Sequence, residues 1–212
     1  MFYQASAFSY PFLKKFQMKL FFYAIILLGC EIMNASVLKT DRLILRKAKD
    51  SDLYLIWNNV WIDESIAKNM LWKVTKTKEE ALKRLERTIK YQKENYAYFI
   101  CLKGTDEPIG FAGIKEKETG IYEESGICIA TKYQAKGYAK EVLSALLDLV
   151  FNKLDGEKFI YGCFNTNDNS RKVCLSHGFK YLNSEEIVRK YDQMKIIVDN
   201  YYLDKDMYFK HN

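Results

Sequence analysis

The segment Gln134-Ala135-Lys136-Gly137-Tyr138-Ala139 carries the clearest chemical signal in the sequence. A helical pattern starts here, with Ala139, Val142, Leu143, Leu146, Leu147 and Val150 at three- and four-residue spacing. The first N–H groups of a helix have no partner inside it, and the helix dipole adds partial positive charge. A pyrophosphate suits such a place. Gly137 lets backbone approach a phosphate closely, Ala139 is nearly as small, and Lys132, Lys136 and Lys140 add positive charge. One glycine in a lysine-rich helix start is a weak signature by itself, so its company has to decide.

Other reactive types are sparse. The five cysteines, Cys30, Cys101, Cys128, Cys163 and Cys174, form no Cys-x-x-Cys pair, and His177 and His211 are the only histidines. That inventory argues against a disulfide framework or a zinc site and suits reduced thiols in a cytoplasm. Cys128 has no histidine placed to activate it as a nucleophile, which favours a core or backbone-pairing role.

The elements that must position the loop follow from pattern. Leu43 to Arg46 is rich in branched residues and reads as a strand. Asp50-Ser51-Asp52 offers caps to a short helix through Leu53, Leu55, Ile56 and Trp57. Thr77 and Glu80 form a capping box, and Ala81, Leu82, Leu85, Ile89 and Tyr91 make the stripe of the helix behind it. Tyr96–Leu102, Ile109–Lys115 and Glu124–Ala130 read as three antiparallel strands with turns at Gly104–Pro108 and Gly120. Phe159–Phe164 is a strand, Asn169–His177 a short helix stopped by Gly178, and Phe179–Leu182 and Tyr201–Phe209 closing strands. The order predicts a mixed α/β layer, with helices covering a central sheet.

The chain has 212 residues, enough for one domain with a sizeable core, and a formal net charge of +6. Lysines and arginines are interleaved with acids, so no concentrated patch points to nucleic acid. Residues 1–32 stand apart. Lys14, Lys15 and Lys19 precede an apolar run from Leu20 to Cys30, too short for a comfortable membrane span. Three readings stay open: a mis-called upstream extension before a start at Met33, an extra cytoplasmic or membrane-touching segment, or export, with Leu27-Leu28-Gly29-Cys30 like a lipoprotein cleavage box.

From about Leu38 to Phe209 the chain resembles the GCN5-related N-acetyltransferase (GNAT) superfamily. Gln134, Gly137 and Ala139 match its Gln/Arg-x-x-Gly-x-Gly/Ala motif. Leu38–Arg46 looks like the opening strand of the ribosomal-protein acetylating branch, Ile109-Gly110 like the family's third strand, and Asn167-Asp168-Asn169-Ser170 with Gly178-Phe179 like its Asn-x-x-Ser and Gly-Phe block. The resemblance implies an α/β (α+β) GNAT fold over residues 33–212, its central, mostly antiparallel sheet splayed at a cofactor slot and flanked by helices. It implies acetyl-CoA as co-substrate, with no metal, and direct acetyl transfer to a primary amine: a protein N-terminus, a polyamine or a small molecule. The pantetheine arm would pair with Ile127, Cys128 and Ile129, and the pyrophosphate would take N–H groups from Gln134, Ala135, Lys136, Gly137, Tyr138 and Ala139. Asn167 would touch the arm. Membrane contact would depend on residues 1–32, and a homodimer is compatible.

The resemblance also places the chemistry. Glu124, ten residues before Gln134, stands where relatives often carry a carboxylate, and is the expected general base; alternation sends Glu123 to the other face. Two departures count. The family's thiolate-protonating tyrosine falls on Cys174, and a second base position falls on Gly162. Ser170 and Ser176 are weak substitutes, so the acid is unassigned. A non-catalytic acyl-CoA-binding sensor is the alternative. The first helices (Leu53–Trp72) and last hairpin (Lys190–Tyr202) would shape the acceptor pocket; Trp61, Trp72 and Tyr201 are either its lining or core, with packing the favoured reading for the two tryptophans.

Overall fold

Thr40 interrupts the first extended stretch. Its N–H donates to the Leu43 carbonyl and its hydroxyl accepts from the Leu43 N–H, both at 3.0 Å. The single strand expected over Leu38–Arg46 is therefore a hairpin, β1 (Val37–Lys39) and β2 (Leu43–Arg46). This computed structural model describes residues 37–211; the readings of residues 1–32 lie outside them.

Asp50–Asp52 makes a 3₁₀ turn into α1 (Leu53–Ile56), which a wider turn continues to Trp61. Asp52 accepts two hydrogen bonds from buried Arg46, each 2.8 Å, tying this turn to β2. Asp63 caps α2 (Glu64–Ala67). Thr77 and Glu80 form the expected capping box at the start of α3 (Lys78–Glu94). Ala81, Leu85 and Gln92 are its buried face. Leu82 and Tyr91, expected in the stripe, are exposed, each sitting one helical position away from the buried line.

Strands β3 (Ala97–Leu102), β4 (Pro108–Glu118) and β5 (Ile121–Ile129) form an antiparallel meander. Then come α4 (Tyr138–Asp148), β6 (Lys158–Phe164), α5 (Asp168–Leu175), β7 (Lys180–Val188), β8 (Lys195–Asp204) and α6 (Lys205–His211). The strand read at Tyr201–Phe209 is thus corrected. It starts earlier and stops at Asp204, whose Oδ1 accepts the Met207 N–H at 2.8 Å and so begins α6.

The eight strands lie in the order β1-β2-β3-β4-β5-β6-β8-β7, and only β5 and β6 are parallel neighbours. Their pairing ends at Glu123↔Ile160. Beyond it β6 follows β8 as far as Phe164↔Val198, while β5 stays on β4 to Ile129↔Gly110. The sheet therefore splits open along residues 124–129. On one face α1 and α3 cover Phe99, Trp61 and Cys128. On the other, Tyr122, Phe159 and Tyr161 are buried on the side of α4 and α5.

Gly110 sets how closely β4 and β5 approach at the open edge. A Cβ there would lie 2.0 Å from the Cys128 carbonyl oxygen and 3.3 Å from the Ile129 Cα. Backbone atoms cannot swing aside as a side chain would. Gly110→Ala is expected to cost about 1–3 kcal/mol, the usual range for overpacking, visible as a lower thermal midpoint. An unchanged midpoint would mean that β5 shifts without cost.

Candidate cofactor and active site

The loop after β5 is shaped by two left-handed residues. Ala130 donates back to the Ile109 carbonyl at 2.7 Å, Thr131–Tyr133 makes one 3₁₀ turn, and the Gln134 Nε2 donates to the Ile129 carbonyl at 2.8 Å. Ala135 then has φ 59° and Gly137 φ 81°. Left-handed geometry costs a residue with a Cβ about 1–2 kcal/mol, so Ala135 is held against its preference. Alternating handedness turns successive N–H groups into one concavity, an anion nest. Among the described residues none accepts from the N–H groups of Lys136 to Lys140. Of the expected residues Gln134, Ala135, Lys136, Gly137, Tyr138 and Ala139, Gln134 instead donates its backbone N–H to the Thr131 carbonyl at 3.2 Å, and the N–H groups left open begin after it. Of the neighbouring lysines, Lys132 is drawn to Glu107 at 3.2 Å instead.

Sequence reasoning missed what holds the loop. Arg42, in the β1–β2 turn, donates Nη1 to the Lys136 carbonyl at 2.9 Å and Nε to Glu141 Oε2 at 2.7 Å. Its guanidinium lies 4.5 Å from the centre of the Tyr138 ring. Thr40 also donates its hydroxyl to Glu141. The partners are about a hundred residues apart, so no local pattern announces them.

Strand β5 bulges at Ser125-Gly126, where Ala112↔Ile127 and Ile114↔Glu124 frame one extra residue. Gly126 takes φ 117°. Ile127, Cys128 and Ile129 pair with β4 on one side, and their other edge faces the split. Glu124 is the first residue past the last β5–β6 pair, half-buried, with its Oε2 accepting the Gly126 N–H at 2.7 Å. Burial pushes its carboxyl up to about 7; the Gly126 N–H opposes the rise and the charge of Glu123 adds to it. Glu123 points to the opposite face and pairs with Lys115 at 2.7 Å and Lys117 at 3.3 Å.

The other candidates separate by face. Cys128 is in the core, and burial pushes its thiol far above the usual range. His177 is at the end of α5, bonded to Ser144 at 2.9 Å. Asn167 caps α5, its Oδ1 accepting the Ser170 N–H at 3.2 Å. Cys174 is fully buried, its thiol pushed up to about 12 and donating to the Arg171 carbonyl. Gly162 faces Asn200 and Val198, on the side away from Glu124. Ser176 bonds the Val173 carbonyl at 2.8 Å. Ser170 contacts the hydroxyl of Tyr161 at 2.9 Å, and Tyr161 is close enough to Glu124 that the carboxylate adds to the rise which burial gives its own hydroxyl. Strand alternation from Phe159 would have put Tyr161 on this face.

On the α3 face a cavity of about 320 Å³ reaches the bulge at Ser125. Trp61 comes from the end of the turn that continues α1, Trp72 from the loop between α2 and α3, and Arg84 and Tyr91 from α3. None of its lining comes from the last hairpin; Tyr201 packs on Tyr181 instead. Among the described residues no helix is long and apolar enough to cross a membrane.

Residues 42–180 match the family model described as an acetyltransferase (GNAT) domain. No curated protein matches the chain significantly. Solved structures do. A GNAT-family acetyltransferase from Bacillus anthracis is 21% identical with TM-score 0.70, covering 80% of this chain and 99% of that one. A spermidine N-acetyltransferase from Vibrio cholerae, solved with CoA and spermine, is 20% identical with TM-score 0.64, covering 79% and 98%. A ribosomal L7/L12 alpha-N-protein acetyltransferase is 18% identical with TM-score 0.67, covering 79% and 93%.

Proposed function

The chain belongs to the GNAT acetyltransferase family, and on that premise we propose that it transfers the acetyl group of acetyl-CoA to a primary amine by direct attack in a ternary complex. One observation carries this reading: the split edge of β5 leads, through one 3₁₀ turn, into a loop with two left-handed residues whose N–H groups from Lys136 on meet no acceptor among the described residues. In the proposal the nest from Gln134 to Ala139 holds the pyrophosphate. The open edge of Ile127, Cys128 and Ile129 pairs with the pantetheine arm, and Asn167 touches it from the far side of the split.

Glu124 then receives the proton of the attacking amine. A carboxyl that titrates near 7 is well matched to that task at neutral pH. A β5 N–H beside the bulge donates to the carbonyl oxygen as charge develops there. The carbon–sulfur bond breaks, and the departing thiolate takes a proton. Tyr161, paired with Ser170 on the Glu124 side, is our candidate donor in place of the buried thiol of Cys174. We assign this activity to residues 33–212, acting in the cytoplasm where acetyl-CoA is supplied.

The test is release of free CoA thiol, followed with a thiol-reactive dye across protein N-terminal peptides, polyamines and small amines. Turnover is expected only with an amine present. Tight CoA binding with no turnover on any amine would favour the alternative, an acyl-CoA-binding sensor, for which Cys174 at the family's tyrosine position is the supporting observation.

A further inference from the structure

Among the described residues Arg84 has no counter-charge. Its guanidinium lies 4.1 Å from the centre of the Trp72 ring and 4.7 Å from that of Trp61, within cation–π distance of both. Its Nη1 donates to the Thr75 hydroxyl at 3.0 Å. Among the described residues no carboxylate pairs with it, and none lines the cavity it borders. Arg87, one turn on, adds a second positive charge to the same lining. The loss of water lowers the Arg84 pKa to about 10.

A second polar group there is also unsatisfied. The indole Nε1 of Trp72 is buried without a hydrogen-bond partner among the described residues. A buried N–H left unpaired costs about 1–3 kcal/mol, and a partly desolvated guanidinium without an anion is costly too. The two stand side by side on a cavity with room for a small molecule or a side chain. Its lining includes Ser125, in the β5 bulge where the open edge begins.

We infer that this cavity binds an anionic group of the acceptor, a carboxylate or a phosphate, through Arg84 and the Trp72 indole. The inference rests on the acetyl-transfer reading for the word acceptor, and it narrows the substrate class to amines that also carry an acid. An aromatic pocket lined by two arginines and no carboxylate repels a polycation, so polyamines are disfavoured. The guanidinium matches either oxyanion in a forked geometry.

Binding and turnover should be measured separately. Tryptophan fluorescence reads binding, since Trp61 and Trp72 frame the site. The probes are matched pairs: β-alanine with its amide, Ser-Glu amide with Ser-Gln amide, phosphoethanolamine with ethanolamine, and spermidine alone. At least one anionic member is expected to bind at least about tenfold more tightly than its neutral partner, as a hydrogen bond to a charged group allows. Which pair responds decides between carboxylate and phosphate. Arg84→Gln should erase the preference, and Arg84→Lys should keep part of it, with thermal melts confirming that both fold. Trp72→Phe removes the N–H, leaves the ring, and should weaken only the anionic member. Equal binding within every pair, tightest binding of spermidine, or a preference that survives Arg84→Gln would overturn the inference. Anion binding without acetylation would leave this site standing and remove the transfer reading; acetylation of amines without anion preference would do the reverse.

Discussion

Glu124→Gln should lower kcat about a hundredfold, the lower end of what a positioned acid–base group contributes, with little change in the KM for acetyl-CoA. The carboxylate lies at the fork of β5 and β6, away from the loop proposed to hold the pyrophosphate, so cofactor binding should not depend on it. The acid limb of the wild-type rate profile should have its midpoint near pH 7, because the base works only when ionised and burial raises its carboxyl to about 7. In the Gln variant that limb should vanish.

Stability supplies the control. A carboxyl whose folded pKa is raised above its ordinary value stabilises the fold fully below about 4.5, and that contribution is lost as pH rises through about 7. Gln carries no such charge and can still accept the Gly126 N–H. Glu124→Gln should therefore be at least as heat-stable as wild type at pH 8. A slow variant with a higher or equal melting point is a lost base, whereas a slow variant that melts earlier is merely damaged. Unchanged kcat would remove Glu124 from the chemistry.

The second large effect is on the nest. Gly137→Val should raise the dissociation constant of CoA at least about tenfold, since one left-handed residue with a Cβ costs 1–2 kcal/mol, about a factor of ten. The variant loop would relax away from φ 81°, and cofactor binding would have to restore it. The helix behind it should survive, because Val142, Leu143, Leu146 and Leu147 hold α4 in the core. Gly137→Asn separates the two causes, since asparagine tolerates left-handed geometry but still adds a side chain beside the phosphates. Strong loss in both variants points to blocked approach, and loss in Val alone to conformation. Isothermal titration with CoA reads both, and native affinity in Gly137→Val would displace the phosphate site from this loop.

The parts legible in the sequence are those set by neighbours along the chain. The Thr77–Glu80 capping box, the start of α4 behind Gly137, and the alternation that parts Glu124 from Glu123 each need only a few residues of context. Elements that depend on a competing local bond were misread. Thr40 folds a strand into a hairpin, and Asp204 turns an aromatic-rich extended run into a helix. Parts assembled across the sheet were invisible. Arg42 meets Lys136 and Glu141 from the other end of the chain, and the approach of Trp61 and Trp72 to Arg84 joins a turn, a loop and a helix. Tyr161 lies between these cases: its face was predictable, but its pairing with Ser170 was not.

With the pyrophosphate placed as proposed, the Arg42 clamp would tie the β1–β2 hairpin to cofactor occupancy. A ligand seated on the nest holds the Lys136 carbonyl and the first turn of α4 still, and both are partners of that one side chain. Thermodynamic linkage then works in both directions: what steadies the loop steadies the turn. Amide hydrogens of Thr40 to Arg46 would exchange more slowly with solvent when CoA is bound, although they lie outside the nest. The short edge hairpin at the start of the described chain would in this way report whether the enzyme is charged with its donor.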